Sequence, residues 1–424
     1  LLFIAISIPM LYFSDELPIP SINLFYCISI GIIFFVLGIM APNLLKIINT
    51  NININPNINT NTNTNNEDNI DNDDNNANKD NKNRDNKDNR NNKDNKDKKN
   101  NREIKPKKPK RGLESISIFS KYSKLEIILT LFVLVGIVLQ IANFINLGGI
   151  PLFSGILKAS AATKIWLISF ITFIIGINCL LAKFNRKSHY ILLIIGLGLF
   201  ALTGYRTTPI AILLSVFITL YYTRNIKLKY QILLVALIAI FLIIVGFIAI
   251  QAIEWQQWRL NPLELISYRA GFTLNILDKA TYLSGSTSGS LFYYTLTGFF
   301  ESVDPRVLVG DVVLGNPHSI TSTIFGPAIL DFGWIAMAIQ MFLIGFILKF
   351  IHFVQKYIKG IATAFYGIIL AQTIIWIETG PTDLVVWIFY LIGIAIAIYY
   401  FYFYKPSKNL KFSKFAEYKS KGSE

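Results

Sequence analysis

Arginines, one histidine and a few carboxylates are the residues of this chain that could do chemistry at an apolar surface. Arg206 stands inside "GLFALTGYRTTPIAILL", residues 198 to 214, within an oily run from Tyr190 to Tyr222. A charge at membrane depth costs several kcal/mol and is rarely kept without a task. A guanidinium holds phosphate oxygens in pairs, so a phosphate is the natural ligand for it. The competing reading is an arginine that snorkels to lipid headgroups. Arg259, Arg269 and Arg306 follow in a long segment between apolar blocks. Arg269 lies in "NPLELISYRAGFTLNILDKA". His318 lies in "NPHSITSTIFGPAILDFGW". A neutral imidazole accepts a proton near pH 7, which suits a base that activates a hydroxyl. Glu254, Glu301, Asp304, Asp311, Asp331, Glu378 and Asp383 are the competing bases. Asp331 and Asp383 open helices behind "GP"-type turns, where the helix dipole alone explains them.

The elements that must position these groups are membrane helices. The chain is 53% hydrophobic, with 32 Phe and 20 Tyr. Its apolar blocks approach the ~20 residues that span a bilayer as a helix. Ten crossings are expected, at about 1–13, 22–41, 125–145, 164–182, 190–204, 208–222, 230–250, 326–350, 361–378 and 384–404. The expected fold is an all-α, polytopic transmembrane helix bundle with one long outer loop. The opening block, "LLFIAISIPMLYF", reads as part of a spanning helix rather than a signal peptide.

Orientation follows from the basic residues of short loops. Segments 183–187, 224–229 and 349–359 hold three Lys/Arg each, and the tail after Tyr404 holds six. With ten crossings, all of these fall on one side. The other side holds only Lys158, Lys164, Arg206, Arg259, Arg269, Lys279 and Arg306. Both termini and the Asn-rich linker are therefore expected in the cytoplasm, in a multi-pass protein of the cell membrane. The 190–222 run cannot be one helix, because 33 residues would measure about 50 Å against a core of about 30 Å. It must be a hairpin whose turn, "TGYRTTP", faces outward and lies recessed. Thr208 is expected to cap the next helix, with Pro209 at its first position. Arg206 then stands beside free N–H groups at a positive helix end, a favourable place for an anion.

The net charge of +14 does not indicate a nucleic-acid partner. Residues 42–124 alone hold 18 Lys/Arg against 12 Asp/Glu, in a tract of Asn, Asp and Lys too polar to build a core. The expected organisation is two helices over 1–45, a disordered cytoplasmic linker over 46–124, helices over 125–250, an outer loop over 251–325, helices over 326–404 and a basic cytoplasmic tail over 405–424. Within the outer loop, Asn261, Pro262 and Glu264 signal a helix start. Leu263, Ile266, Ala270, Leu274 and Leu277 then share one face, with Arg269 at its edge. That helix either lies on the membrane surface or forms a lid carrying Arg269. "GSLFYYTLTGFF" is too short to span. Cys27 and Cys179 lie in apolar blocks and read as core residues. There is no phosphate-loop lysine motif, no HExxH and no dinucleotide fingerprint in context. No cofactor is called for, and one outward histidine cannot build a multi-histidine metal site.

The many spans, "GYRT" at an outer turn, the arginine-bearing loop and "NPHSITSTIFGPAILDFGW" before a late helix resemble the oligosaccharide repeat-unit polymerases. These are the O-antigen polymerase and O-antigen ligase-like membrane proteins. His318, Ser319, Phe332 and Gly333 are similar to the "His-Asn/Ser…Gly…Gly" run of the ligase-like relatives, with Ala336 where a second glycine is expected. The resemblance covers about residues 125–404. It implies a metal-independent glycosyltransferase that uses polyprenyl-diphosphate-linked oligosaccharide at the outer face and builds cell-surface polysaccharide. It implies flippase and chain-length regulator proteins as companions. His318, Arg206 and Arg269 are then the expected catalytic residues, and Arg206, Arg259, Arg269 and Arg306 the expected substrate-binding residues. A ligase acting on another acceptor would use the same site. A transporter or flippase of lipid-linked sugars would instead need polar groups deep in several helices.

Overall fold

The computed structural model describes residues 18–52, 123–184, 186–224, 228–229, 231–233, 235–236, 240, 262–301, 303–357, 359–382 and 384–403. Among these there are helices and no strand. They are α1 (Ile22–Ile52), α2 (Lys124–Leu147), α3 (Gly155–Ala159), α4 (Lys164–Lys183), α5 (Lys187–Ala201), α6 (Thr207–Thr223), α7 (Pro262–Tyr282), α8 (Ser290–Thr297), α9 (Pro305–Leu314), α10 (Gly326–Tyr357), α11 (Ile361–Thr379) and α12 (Val386–Phe403). Five segments are long and apolar enough to cross a membrane: Ile22–Pro42, Lys124–Leu147, Lys164–Lys183, Gly326–Lys356 and Ile361–Thr379. Lys187–Ala201, Thr207–Thr223 and Val386–Ile396 are shorter apolar helices. Of the ten expected crossings, 1–13 lies outside the described residues and 230–250 is described only at scattered positions. Residues 50–121 form a unit of their own, which apart from 50–52 lies outside the described residues, as does the tail from 404.

The 190–222 run is two helices with a turn at 202–206, as the length argument requires. The helices pack closely through small residues. Gly136 on α2 meets the backbone of Phe173 on α4, and Gly367 on α11 meets Ser215 and Thr219 on α6. Such contacts supply the van der Waals attraction that holds helices together in lipid, where water cannot. Polar ties cross the same interfaces. The Ser169 hydroxyl donates to Gln140 at 3.1 Å, Thr163 to Asn143 at 2.5 Å, and Asn178 joins Ser215 at 3.0 Å and Thr219 at 2.8 Å.

The long loop is packed, not spread on a surface. From Ala270 to Thr281, α7 buries Leu274, Ile276, Leu277 and Ala280, and also Thr273, Asn275 and Asp278. Asp278 accepts from the Ser21 backbone N–H at 2.9 Å and from the Ser21 hydroxyl, tying α7 to the start of α1. A second small core of Ile276, Ala280, Leu291, Val309, Val313 and Leu330 joins α7, α8, α9 and the start of α10. His189 and His352 lie within α5 and α10.

α10 is kinked at Gly333, whose φ of 83° and ψ of −169° only glycine adopts cheaply. The kink frees helix carbonyls. Ile329 and Leu330 accept instead from the N–H groups of Gly285 and Thr287 at 2.9 and 3.0 Å. Asp331, buried, accepts from the Thr287 hydroxyl at 2.5 Å and from the N–H groups of Leu291 and Phe292 at 2.9 and 2.6 Å. It therefore caps α8 from across the kink.

Candidate functional site at the Arg206 turn

The turn "TGYR" is built before any ligand arrives. The Thr203 hydroxyl donates to the Phe200 carbonyl at 2.7 Å and accepts from the Tyr205 N–H at 3.3 Å. Gly204 has φ +73°, and a Cβ there would meet the Lys158 stem at 3.3 Å and the Leu152 backbone at 3.4 Å. The Tyr205 hydroxyl donates to the Lys158 carbonyl at 2.9 Å, and the Leu152 N–H donates to the Leu202 carbonyl at 2.9 Å. Thus the 151–159 segment is clamped against the turn. Thr208 is not the helix cap. α6 starts at Thr207, Arg206 occupies the cap position with helical angles of φ −65° and ψ −33°, and no side chain caps the end. The physical reason is that residues 206 and 207 already follow the helical path, so the first turn begins two residues before Pro209.

Four elements meet around this turn. Arg269 of α7 pairs with Glu378 of α11, Nε to Oε1 3.6 Å, with side chains 53% and 39% exposed. Burial pushes the Arg206 guanidinium below its ordinary pKa, the charge of Arg269 pushes the same way, and Glu378 opposes both. Burial likewise lowers the Lys158 ammonium, and the charges of Arg206 and then Arg269 add to it. So Lys158, Arg206 and Arg269 act on one another through their charges, and Glu378 pairs with Arg269 and acts on Arg206.

A second group adjoins the first through Tyr205. Arg306 makes a two-pronged pair with Asp304, Nε–Oδ1 and Nη2–Oδ2 both 3.0 Å, and Asp304 also caps α9 through the Arg306 N–H at 3.0 Å. Burial raises the Tyr205 hydroxyl pKa, while Arg306 lowers and Asp304 raises it. The Ser319 hydroxyl donates to Asp304 at 3.1 Å. His318 is therefore held one residue from this group, exposed, with its carbonyl packed on Gly310.

Of the sequence-derived residues, Arg206 and Arg269 come together, while Arg306 and His318 belong to the adjoining group. Arg259 lies outside the described residues, as do Glu254 and Asp383. Phe332 and Gly333 shape the α10 kink, with the Phe332 ring 6.4 Å from that of Phe292. Lys158 was legible only as one of seven outward cations. Glu378 was legible only as one of seven outward carboxylates. One signal did exist for Glu378. It stands in the last turn of a helix, where the dipole favours a cation, so a carboxylate there calls for a positive partner.

A family model described as "Putative O-antigen polymerase" matches residues 1–390 of the chain. The chain belongs to the O-antigen polymerase family. Two uncharacterized proteins of Methanocaldococcus jannaschii are similar to it. One is 30% identical over 273 residues, which is 62% of this chain and 74% of that protein. The other is 35% identical over 187 residues, 44% of this chain and 45% of that protein. No solved structure matches. As a member of the family, the protein is a membrane helix bundle with a cluster of cations at the "GYRT" turn.

Proposed function

We propose that the protein is a membrane glycosyltransferase that polymerises polyprenyl-diphosphate-linked oligosaccharide at the outer face of the cell membrane. The observation that carries this is the meeting of Arg206 and Arg269 beside one carboxylate, although 63 residues of chain separate them. Two guanidiniums with a single counter-charge favour a multiply charged anion, and a diphosphate is both the donor's headgroup and the leaving group. As the sugar–oxygen bond breaks, charge grows on the departing diphosphate, and fixed cations lower that barrier without reorganising. A base must take the proton of the attacking hydroxyl. His318 is assigned this role, with Arg306 and Arg259 as further substrate contacts. No metal is needed for these steps.

The topology belongs to the same reading: ten crossings, with both termini and the Asn-rich linker cytoplasmic and companion flippase and chain-length regulator proteins nearby. The spans are almost free of charged residues, which favours an enzyme over a transporter. The test is to react the purified full chain with a defined lipid-linked oligosaccharide. A ladder of repeat units supports the reading. Transfer of single glycans to an unrelated acceptor would make it a ligase, and no transfer at all would remove the enzymatic reading.

A further inference from the structure

The Arg206–Arg269 pair is joined by a cation that the proposed chemistry does not yet use. We infer that Lys158 is a third ligand of the same anion, so that Lys158, Arg206 and Arg269 together form one diphosphate site. The inference deepens the transferase reading by naming a residue that holds its leaving group.

Three observations support it independently of any activity. First, the position of Lys158 is fixed. Its carbonyl accepts from the Tyr205 hydroxyl at 2.9 Å, and its Cγ and Cδ pass 3.5 and 3.3 Å from where a Gly204 Cβ would stand. Gly204 and Tyr205, which make these contacts, immediately precede Arg206, so the Lys158 stem is held against the turn that carries Arg206. Second, the charges do not balance. Lys158, Arg206 and Arg269 repel one another, while one carboxylate, Glu378, pairs with Arg269 and acts on Arg206. Third, Lys158 is half-buried, so water screens this repulsion poorly. Ordinary side-chain packing does not assemble such a group without an anion to answer it. Arg306 is not a fourth member, because Asp304 holds it on two prongs. Lys164 is directed elsewhere, its Nζ 5.8 Å over the Phe299 ring.

The site also divides the work. Arginines offer planar pairs of donors, whereas a lysine is a compact charge with three rotatable donors. Two arginines and one lysine can thus meet two linked phosphates without competing for the same oxygens.

The experiment uses the full chain in lipid nanodiscs and inorganic pyrophosphate as the probe. Calorimetric titration of the wild type should show binding. Lys158→Gln keeps much of the stem over Gly204 but removes the charge, and should weaken binding about tenfold to a hundredfold, the worth of a charge-assisted hydrogen bond. Lys158→Arg should bind close to wild type. In wild type, pyrophosphate should also protect Lys158 from an amine-reactive reagent, read by mass spectrometry. Wild-type affinity in the Gln variant, together with loss of binding in Arg206→Ala, would overturn the role of Lys158 and leave the transferase reading intact. Absence of protection in wild type would overturn it equally. Pyrophosphate binding through Lys158 with no transfer from lipid-linked donor would instead sink the transferase reading and keep the anion site.

Discussion

Arg206 and Arg269 are not interchangeable with lysine if they hold phosphate by their planar forks. Arg206→Ala and Arg269→Ala should each abolish most polymerisation, and the Lys variants should recover only part of it. Both Ala variants folding and polymerising at the wild-type rate would refute the assignment. His318 is exposed and stands one residue from the Ser319–Asp304–Arg306 group, so a role as base is separable from donor binding. His318→Ala should cut turnover by about 10² to 10⁴, with donor binding retained. His318→Gln can still hydrogen-bond a sugar but cannot act as a base. Near-normal turnover in that variant would give His318 a positioning role and turn attention to Glu378, since Asp331 is spent on the α8 cap and Asp304 on Arg306. Lys158 also sets a pH dependence. Burial, and then the charges of Arg206 and Arg269, hold its pKa below that of an ordinary lysine, with the Tyr205 hydroxyl on its carbonyl and the Asp304–Arg306 pair acting on that tyrosine. A bound anion draws the pKa back up, so binding takes up a proton. Affinity for pyrophosphate should therefore be full below the lowered pKa and fall as pH rises through it. The Lys158→Gln variant should show a flatter profile over that range.

At the scale of elements, the kink in α10 is the part most exposed to a single change. Asp331 answers one hydroxyl and two backbone N–H groups of the 287–292 segment. Removing it leaves two buried donors and one part-buried donor without an acceptor, each buried one costing ~1–3 kcal/mol. Asp331→Ala should thus destabilise the protein by about 2 kcal/mol or more, seen as a lower Tm in detergent. An unchanged Tm with lost turnover would instead make Asp331 part of the chemistry. This cap also explains how α8, only eight residues long, holds its place above α10.

For the molecule as a whole, α2 and α5 each run from one group of charges towards another. At their starting ends the buried Glu126 meets Arg186 at 2.8 Å and His189 at 3.3 Å, and beyond the end of α5 lies the Arg206 turn. Arg186 and Lys187 thus stand at one end of α5 and Arg206 beyond the other. Cysteines introduced at Ser286, which is exposed, and at Asn86 test the sidedness with an impermeant thiol reagent. Ser286→Cys should label only from outside and Asn86→Cys only from inside. Labelling of both from one face would refute the topology.

The sequence alone determined the all-helical membrane class, because apolar length is a direct measure of what can cross lipid. It determined the hairpin at 190–222, because 33 residues are too long for one span. It also determined that Arg206 stands at the turn of that hairpin, because the basic loops on either side oblige the chain to return. Only the tertiary structure decided which distant charges meet. Nothing local in "SGILKAS" announces that Lys158 will lie against the "TGYR" turn, since that depends on a tyrosine 47 residues on finding its carbonyl. Nothing in "DFGW" separates a helix-opening aspartate from one that caps another helix, since the outcome rests on a kink whose carbonyls need donors from the 285–287 loop. Periodicity and composition act along the chain. Pairing of charges and satisfaction of buried polar groups act across it, and those terms chose the members of the site.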